Sequence, residues 1–104
     1  MTNTMIGTHL VGYIYCSYAD LVATFGPPSP PQDEWKSDAE WQIDVPGVGP
    51  ADLYNYKDGR NYLGETGLPT EQITEWHVGG TTAAVIEPIC LRIHELAEVC
   101  FAVA

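Results

Sequence analysis

Residues 39–45 alternate strictly between apolar and polar side chains, and this alternation limits the possible folds more than any other feature of the chain. Period two with one apolar face predicts a half-buried antiparallel strand. Turn-forming residues follow at 46–50, and Ala51–Lys57 is predicted to return as the partner strand. The chain must therefore build a sheet with one covered face. Trp41 is then expected in the core, whereas Glu40 and Asp44 are expected to form an acidic face in solvent.

Two amphipathic helices are available to cover such a sheet, and the first lies between Ser17 and Gly26. Ser17 can cap its free amides, with Asp20 three residues later in a variant of the capping box. Gly26 and the two prolines after it end the helix. Apolar residues at i, i+3, i+4 and i+7 predict one stripe that packs on the sheet, formed by Tyr18, Leu21, Val22 and Phe25.

The second helix is predicted to run from near Glu87 to Val103. Its apolar residues share one broad face, which includes Ile89, Cys90, Ile93, Leu96, Ala97, Cys100 and Phe101. Val99 and Val103 make this face wider than a small sheet needs, which indicates either deep burial or self-association. We therefore expect a homodimer or a higher homo-oligomer in which this helix supplies part of the contact.

Two more strands complete the prediction. His9–Cys16 is rich in β-branched and aromatic residues and is predicted to be central, and Ile73–Val78 precedes Gly79 and Gly80. The expected fold class is α+β, with a short N-terminal helix and a longer C-terminal helix packed on a small antiparallel sheet. Residues 1–104 are expected to form a single domain, in which 1–7 is a frayed tail.

The charge and the cysteines limit the partners and the compartment. Fourteen acidic residues against four basic residues give a net charge of -10. Such a charge repels phosphate backbones and argues against direct binding of duplex nucleic acid, whereas it suits a basic partner or simply promotes solubility. Three cysteines without metal-like spacing predict reduced thiols in a cytosolic protein. The sequence shows no signal-peptide pattern and no membrane-spanning run.

Residues 52–80 are predicted to carry the binding site, because aromatic, amide and basic groups crowd there onto a loop rich in turn formers. Arg, Tyr and Trp are the residue types enriched at interface hot spots. Lys57 and Arg60 could hold a partner or a nucleotide phosphate, or they could merely offset Asp58 and Glu65. The predicted binding residues are Tyr54, Tyr56, Lys57, Arg60, Asn61, Tyr62, Trp76 and His77.

The sequence offers no catalytic or metal-binding signature. His77 could be a general base, but no Ser, Cys or paired carboxylate stands beside it at a motif spacing, so a structural role is favoured. Cys90 and His94 are one helical turn apart and would supply only half of a metal site. Gly79-Gly80 could bind an anion on free amides, although no phosphate-loop lysine follows. We expect no enzymatic activity, no metal and no cofactor.

Four sequence blocks resemble a group of short accessory proteins of tailed bacteriophages. These blocks are SYADL at 17–21 with its following FGPP, DAEWQI at 38–43, LYNYKDGRNYLGE at 53–65 and ITEWHVGG at 73–80. The resemblance covers roughly residues 10–80; the hairpin turn at 46–50 and the segment from Thr81 onward depart from it. It implies a phage gene product that acts in the cytoplasm of the infected bacterium, without enzymatic activity.

Two functions follow from this resemblance as expectations. The first is inhibition of a host defence protein, such as a CRISPR effector or another anti-phage effector, by direct binding. The alternative is an oligomeric sponge that sequesters a nucleotide immune signal. Both rest on analogy with other small phage proteins.

Overall fold

The computed structural model describes residues 8–96 and 101–103 and confirms the α+β class. Five antiparallel strands form one sheet in the order β2-β3-β4-β1-β5, and the C-terminal helix is longer than the N-terminal one. The elements are β1 His9–Tyr15, α1 Tyr18–Phe25, β2 Glu40–Val45, β3 Gly49–Tyr54, α2 Arg60–Leu63, β4 Glu75–Gly80, α3 Ile86–Leu96 and β5 Phe101–Val103. Short 3-10 turns lie at Gly64–Thr66, Thr70–Gln72 and Ala83–Val85.

The predicted hairpin forms between β2 and β3, with Trp41 opposite Leu53 and Ile43 opposite Ala51. Trp41, Leu53 and Ala51 are buried, as the alternation requires. The return strand is shorter at its end than the predicted Ala51–Lys57, because the chain leaves the sheet after Tyr54. Lys57 has a φ of 61°, a left-handed conformation that ends extended backbone.

Strand β1 is central, as predicted, because it pairs with β4 on one side and with β5 on the other. The predicted last strand Ile73–Val78 is displaced to Glu75–Gly80. Ile73 instead donates its amide to Thr70 at 3.2 Å and fills the core at the end of a 3-10 turn. Gly79 and Gly80 pair with both neighbouring strands, so they do not form an anion-binding loop before a helix.

The limits of α1 agree with the sequence prediction. The Ser17 side chain accepts a hydrogen bond from the Asp20 amide at 3.0 Å, and Gly26 ends the helix with a φ of 84°. Leu21 is fully buried, whereas Phe25 is only half-buried at the edge of the core. The stripe therefore packs on the sheet as expected, with its C-terminal end partly open to solvent.

Two tryptophans from the sheet hold α1 in place. Trp41 and Trp76 pack edge to face with their ring centroids 5.3 Å apart. The Trp41 indole Nε1 donates to the Gly26 carbonyl at 2.8 Å, and the Trp76 indole Nε1 donates to the Cys16 carbonyl at 3.0 Å. Both indole groups thus satisfy their buried N–H on backbone that flanks the helix.

Helix α3 begins where predicted, within one residue of Glu87, but it ends at Leu96 and not at Val103. Ile86, Ile89 and Ile93 are buried against the sheet and α1. Phe101–Val103 forms β5 and pairs with Tyr13–Tyr15, because backbone groups on that side of β1 accept another strand. The predicted helical contact across 87–103 is therefore wrong in its C-terminal part, and Ala97, Val99 and Cys100 lie outside the described residues. A homo-oligomer remains a prediction.

Within residues 8–96 and 101–103, none of the helices has both the length and the apolar character needed to cross a membrane.

The core assignment is tested by truncating two tryptophans of different exposure. Trp41→Ala should lower the free energy of unfolding by about 3–5 kcal/mol, because it removes a buried ring and leaves a cavity. Trp35→Ala, at an exposed position, should change it by less than about 0.5 kcal/mol. Urea denaturation followed by far-UV circular dichroism measures both, and equal effects would show that the face assigned to β2 is wrong.

Candidate binding surface on the second face of the sheet

The face of the sheet opposite the hydrophobic core, here called the second face, carries the candidate site. Residues that pair across antiparallel strands point to the same side, so the register gives the membership of this face. Tyr54 pairs with Glu40 on one side and with His77 on the other, and His77 pairs with Tyr13. The face includes Leu10, Tyr13, Tyr15, Glu40, Gln42, Asp44, Pro50, Asp52, Tyr54, Glu75, His77 and Gly79.

An aromatic cluster occupies the middle of the second face. The His77 ring centroid lies 4.8 Å from that of Tyr13, 5.4 Å from that of Tyr54 and 5.1 Å from that of Tyr56. Burial lowers the pKa of His77, and the negative charges of Glu75 and Asp58 oppose this effect. The imidazole is thus neutral at pH 7 and acts as a packed ring with hydrogen-bonding capacity.

Beside this cluster, a group of aromatic and lysine side chains stands at the surface. We call Trp35, Lys36, Tyr56, Lys57 and Tyr62 the aromatic–lysine ridge. The Lys57 ammonium lies 5.2 Å from the Tyr56 ring centroid and 5.5 Å from that of Tyr62, and the Lys36 ammonium lies 5.8 Å from Tyr56. The Trp35 and Tyr62 ring centroids are 6.3 Å apart. Trp35 is 69% exposed, the largest exposed fraction among the large hydrophobic side chains described.

The backbone around the ridge is fixed by short-range hydrogen bonds. The Asp33 carboxylate accepts from the Trp35 and Lys36 amides at 3.1 and 3.2 Å, and the Lys57 amide donates to the Lys36 carbonyl at 2.8 Å. Lys57 is the only non-glycine residue with positive φ in the described part of the chain. Backbone in this conformation is strained and persists only where surrounding contacts hold it. Residues of this kind are concentrated at functional sites.

A buried asparagine fastens the two loops that carry the ridge. The Asn55 side-chain oxygen accepts from the Asp38 and Ala39 amides at 2.7 and 3.0 Å, and its nitrogen donates to the carboxylates of Asp38 and Asp58 at 2.8 and 3.1 Å. Gly59 fits beside this network, whereas a Cβ at this position would clash with an Asp38 carboxylate oxygen. Much of the block 53–65 is therefore structural support.

Two acidic side chains form a pocket at the edge of the second face. Glu40 is 3% exposed and Asp52 is 7% exposed. Both Glu40 oxygens accept from Gln32, one from its amide at 2.9 Å and one from its side-chain nitrogen at 2.8 Å. The Asp52 carboxyl lies against Gly79, where a Cβ would clash with Oδ1. A glycine at position 79 thus makes room for the buried acid.

The two carboxyl groups share a low-dielectric environment. Burial, followed by the charge of Glu40 and a hydrogen bond with it, raises the pKa of Asp52 to about 7. Burial and the charges of Asp52 and Glu40 raise the pKa of Tyr54 to about 12. Oδ1 of Asp52 has no hydrogen-bond donor among the described residues, so a hydrogen bond between the two carboxyls exists only while one of them is protonated. Such a pair can share a proton or bind a cation.

The pocket above this pair has a volume of about 270 Å³. Its lining includes His9, Gln32, Glu40, Asp52, Tyr54 and Tyr56, so it opens next to the ridge through Tyr56. Pockets for drug-sized ligands measure about 300–1,000 Å³. The space therefore suits a small group or the end of one side chain.

The structure brings together most of the predicted binding residues and separates others. Tyr54, Tyr56, Lys57, Tyr62 and His77 lie in the aromatic cluster or the ridge. Arg60 is exposed at the start of α2, and its side chain joins none of the ring contacts described for the ridge.

Asn61 is exposed, its side chain donates to the Ser37 carbonyl at 2.9 Å and its amide donates to Asp38 at 3.1 Å, so its role in binding stays a prediction. Two other predicted assignments need correction. Trp76 is fully buried and cannot belong to the surface, because it points to the opposite side of β4 from His77. Glu40 is buried, not solvated, because residues 29–32 fold back over it, whereas Asp44 is exposed as predicted.

Sequence reasoning missed three site residues, Trp35, Lys36 and Asp52. The first two lie in a proline-rich loop without periodicity, so no sequence signal relates them to Tyr56 and Tyr62. Asp52 was detectable, because the register of the predicted hairpin places it opposite Gln42 and therefore diagonal to Glu40. Among the described residues, no group of three His, Cys, Asp or Glu side chains could hold a metal ion.

No protein-family model, no curated protein and no solved structure matches this chain.

The support role of Asn55 is tested against a neighbouring asparagine. Asn55→Ala should lower the free energy of unfolding by about 2–4 kcal/mol, because it leaves two backbone amides without an acceptor. Asn61→Ala, at an exposed position, should cost less than about 1 kcal/mol. Chemical denaturation of both variants provides the measurement. A larger loss in Asn61→Ala than in Asn55→Ala would contradict the assigned roles.

The raised pKa of Asp52 predicts how stability changes with pH. Between about pH 4 and pH 7 the unfolded chain loses the Asp52 proton while the folded chain keeps it, so folded stability falls as the pH rises. Asp52→Asn removes this contribution and should raise the free energy of unfolding at pH 8 by roughly 1–3 kcal/mol, with little effect at pH 4. Chemical denaturation of Asp52→Asn and of the natural chain between pH 4 and pH 8 measures the difference in their free energies of unfolding.

Asp44→Asn is the matched control, since it removes one negative charge from an exposed position on the same strand. The free energy of unfolding of Asp44→Asn should differ little from that of the natural chain, and this difference should be nearly constant with pH. If Asp52→Asn behaved like Asp44→Asn, Asp52 would not hold a proton at neutral pH.

Proposed function

We propose that this protein is a non-enzymatic binding protein whose aromatic–lysine ridge contacts a partner protein. The observation that carries the proposal is the exposure of Trp35 beside Tyr62 and Lys57 on backbone that hydrogen bonds hold in place. Tryptophan and tyrosine are the residues most enriched among interface hot spots, and a fixed loop reduces the entropy lost on binding.

The charge distribution supports a basic partner. The chain carries a net charge of -10, and Glu75 and Asp44 are exposed on the second face. A negative surface accelerates association with a positive one and weakens as salt screens it. The lysines of the ridge lie over tyrosine rings, so they add packing area as well as charge.

The resemblance to phage accessory proteins supports the biological setting of this proposal. In that setting the protein acts in the cytoplasm of an infected bacterium and inhibits a host defence protein, such as a CRISPR effector or another anti-phage effector, by occupying its surface. The longest resembling block, 53–65, supplies Tyr56, Lys57 and Tyr62 of the ridge and the Asn55 that supports them.

Nucleotide capture is the second candidate, and the placement of Lys36 and Lys57 over Tyr56 favours it. Lysine and exposed aromatic rings can hold a phosphate and stack on a base. The neighbouring pocket is lined by Asp33, Glu40 and Asp52, which would repel a phosphate, so the ridge alone would have to bind the ligand. A homo-oligomer would double the number of lysines available. We rank this candidate below the partner protein because of the net charge.

The proposal is tested by capture from lysate of host bacteria, followed by calorimetry with the purified partner. Trp35→Ala and Tyr62→Ala should each weaken partner binding at least tenfold, or about 1.4 kcal/mol, because each removes an aromatic anchor. Leu91→Ala is the control, since Leu91 is 58% exposed on α3, which packs on the opposite face. The control should bind like the natural chain.

If all three variants bound the partner as tightly as the natural chain, the ridge would be excluded as the contact surface. The alternative is tested by calorimetry with cyclic and linear nucleotides. Submicromolar binding of one of them that Lys57→Ala abolishes would favour nucleotide capture over a partner protein.

A further inference from the structure

We infer that the pocket formed by Glu40 and Asp52 binds a guanidinium group, supplied by an arginine side chain of the partner protein. The source of the guanidinium rests on the proposed function, whereas the chemistry of the pocket does not. The carrying observation is the buried carboxyl of Asp52, whose Oδ1 has no donor among the described residues.

The carboxyls of Glu40 and Asp52 differ in their hydrogen-bond partners. Glu40 is already satisfied, because Gln32 donates one hydrogen bond to each of its oxygens. Asp52 lines the same pocket, and its unpartnered Oδ1 is buried against Gly79. Native proteins rarely leave a buried acceptor in this state, since its desolvation is uncompensated. A donor that enters the pocket would complete the site.

The donor is expected to be a cation with several N–H groups. A neutral donor would satisfy the oxygen but would leave the repulsion between two neighbouring carboxyls. A guanidinium is planar, presents five N–H donors and is less strongly hydrated than an ammonium, so it suits a partly buried acidic pair. Tyr54 and Tyr56 line the same pocket and can pack against its face.

Other ligand classes fit the pocket less well. A volume of about 270 Å³ suits the end of a side chain and is small for a nucleotide. A divalent metal ion takes six or more oxygen ligands or a compact set of side chains, and the described residues contain no group of three metal-binding side chains. An anion would meet Glu40, Asp52 and Asp33 in the lining.

Binding of this cation is coupled to release of a proton. The titratable groups that line the pocket together with Asp52 are Glu40 on β2, Tyr54 at the end of β3, Tyr56 after it, His9 on β1 and Asp33 in the loop before β2. Burial and the charge of Glu40 raise the pKa of Asp52 to about 7, so the carboxyl holds its proton far above the usual range of an aspartate. A guanidinium favours the ionised form, so binding should strengthen as the pH rises through 7.

The test is an NMR titration of the full chain with methylguanidinium chloride, with sodium chloride at equal ionic strength as the reference. The Tyr54 and Gly79 amides should shift and saturate. Binding should be about tenfold weaker at pH 6 than at pH 8, the ratio of ionised fractions for a group with a pKa of about 7. Shifts that never saturate, or that sodium chloride reproduces, would overturn the inference.

Two carboxyl-to-amide variants sharpen this test. Asp52→Asn should weaken methylguanidinium binding at least tenfold and remove its pH dependence, whereas Asp44→Asn removes the same charge outside the pocket and should bind normally. If Asp52→Asn does not fold, Glu40→Gln replaces it, with the same expected loss. Equal binding by a folded pocket variant and by Asp44→Asn contradicts the inference.

Failure of this inference is distinguishable from failure of the proposed function. Trp35→Ala should leave methylguanidinium binding intact, because Trp35 lies in the ridge and not in the pocket lining. If the pocket binds methylguanidinium and the ridge variants do not affect partner binding, the ridge proposal fails and the pocket chemistry stands. If a purified partner binds Asp52→Asn as tightly as the natural chain, an arginine of that partner is not the source of the guanidinium.

Discussion

The structure depends on two indole N–H groups that must find acceptors inside the core. Trp41 and Trp76 meet edge to face beneath α1, and their donors reach the Gly26 and Cys16 carbonyls, which flank that helix at its two ends. A buried donor without an acceptor is costly, so the sheet and the helix can pack in few other ways. This constraint decides which face of the sheet the helix covers, and it leaves the second face to the loops.

The loops make that second face a structured surface. Asn55 joins the loop after β3 to the loop before β2, and the side chains that both loops then present are Trp35, Lys36, Tyr56, Lys57 and Tyr62. The same covering loop brings Gln32 onto Glu40 and closes one side of the acidic pocket. The ridge and the pocket therefore lie side by side because the same loops form both, and one partner has room to contact both.

Local patterns predicted the elements whose faces differ in polarity, namely the hairpin, α1 and the start of α3. They could not predict tertiary events. Period two places Glu40 opposite the core, but only the fold shows that residues 29–32 return over it. Apolar residues near the C-terminus are compatible with either a helix or a strand. Phe101–Val103 forms a strand because it pairs with β1. The predicted binding surface includes both Trp76 and His77, although neighbouring residues on a strand point to opposite faces.

The unequal exposure of the three tryptophans gives this protein a built-in optical reporter. Trp41 and Trp76 are shielded in the core, whereas Trp35 stands in water on the ridge. A water-soluble quencher such as iodide should reach only Trp35, so the red-edge part of the intrinsic emission belongs to a single side chain. Any molecule that binds to the ridge must then change the fraction of tryptophan fluorescence that iodide can quench. Binding to the ridge can therefore be followed without attaching a dye.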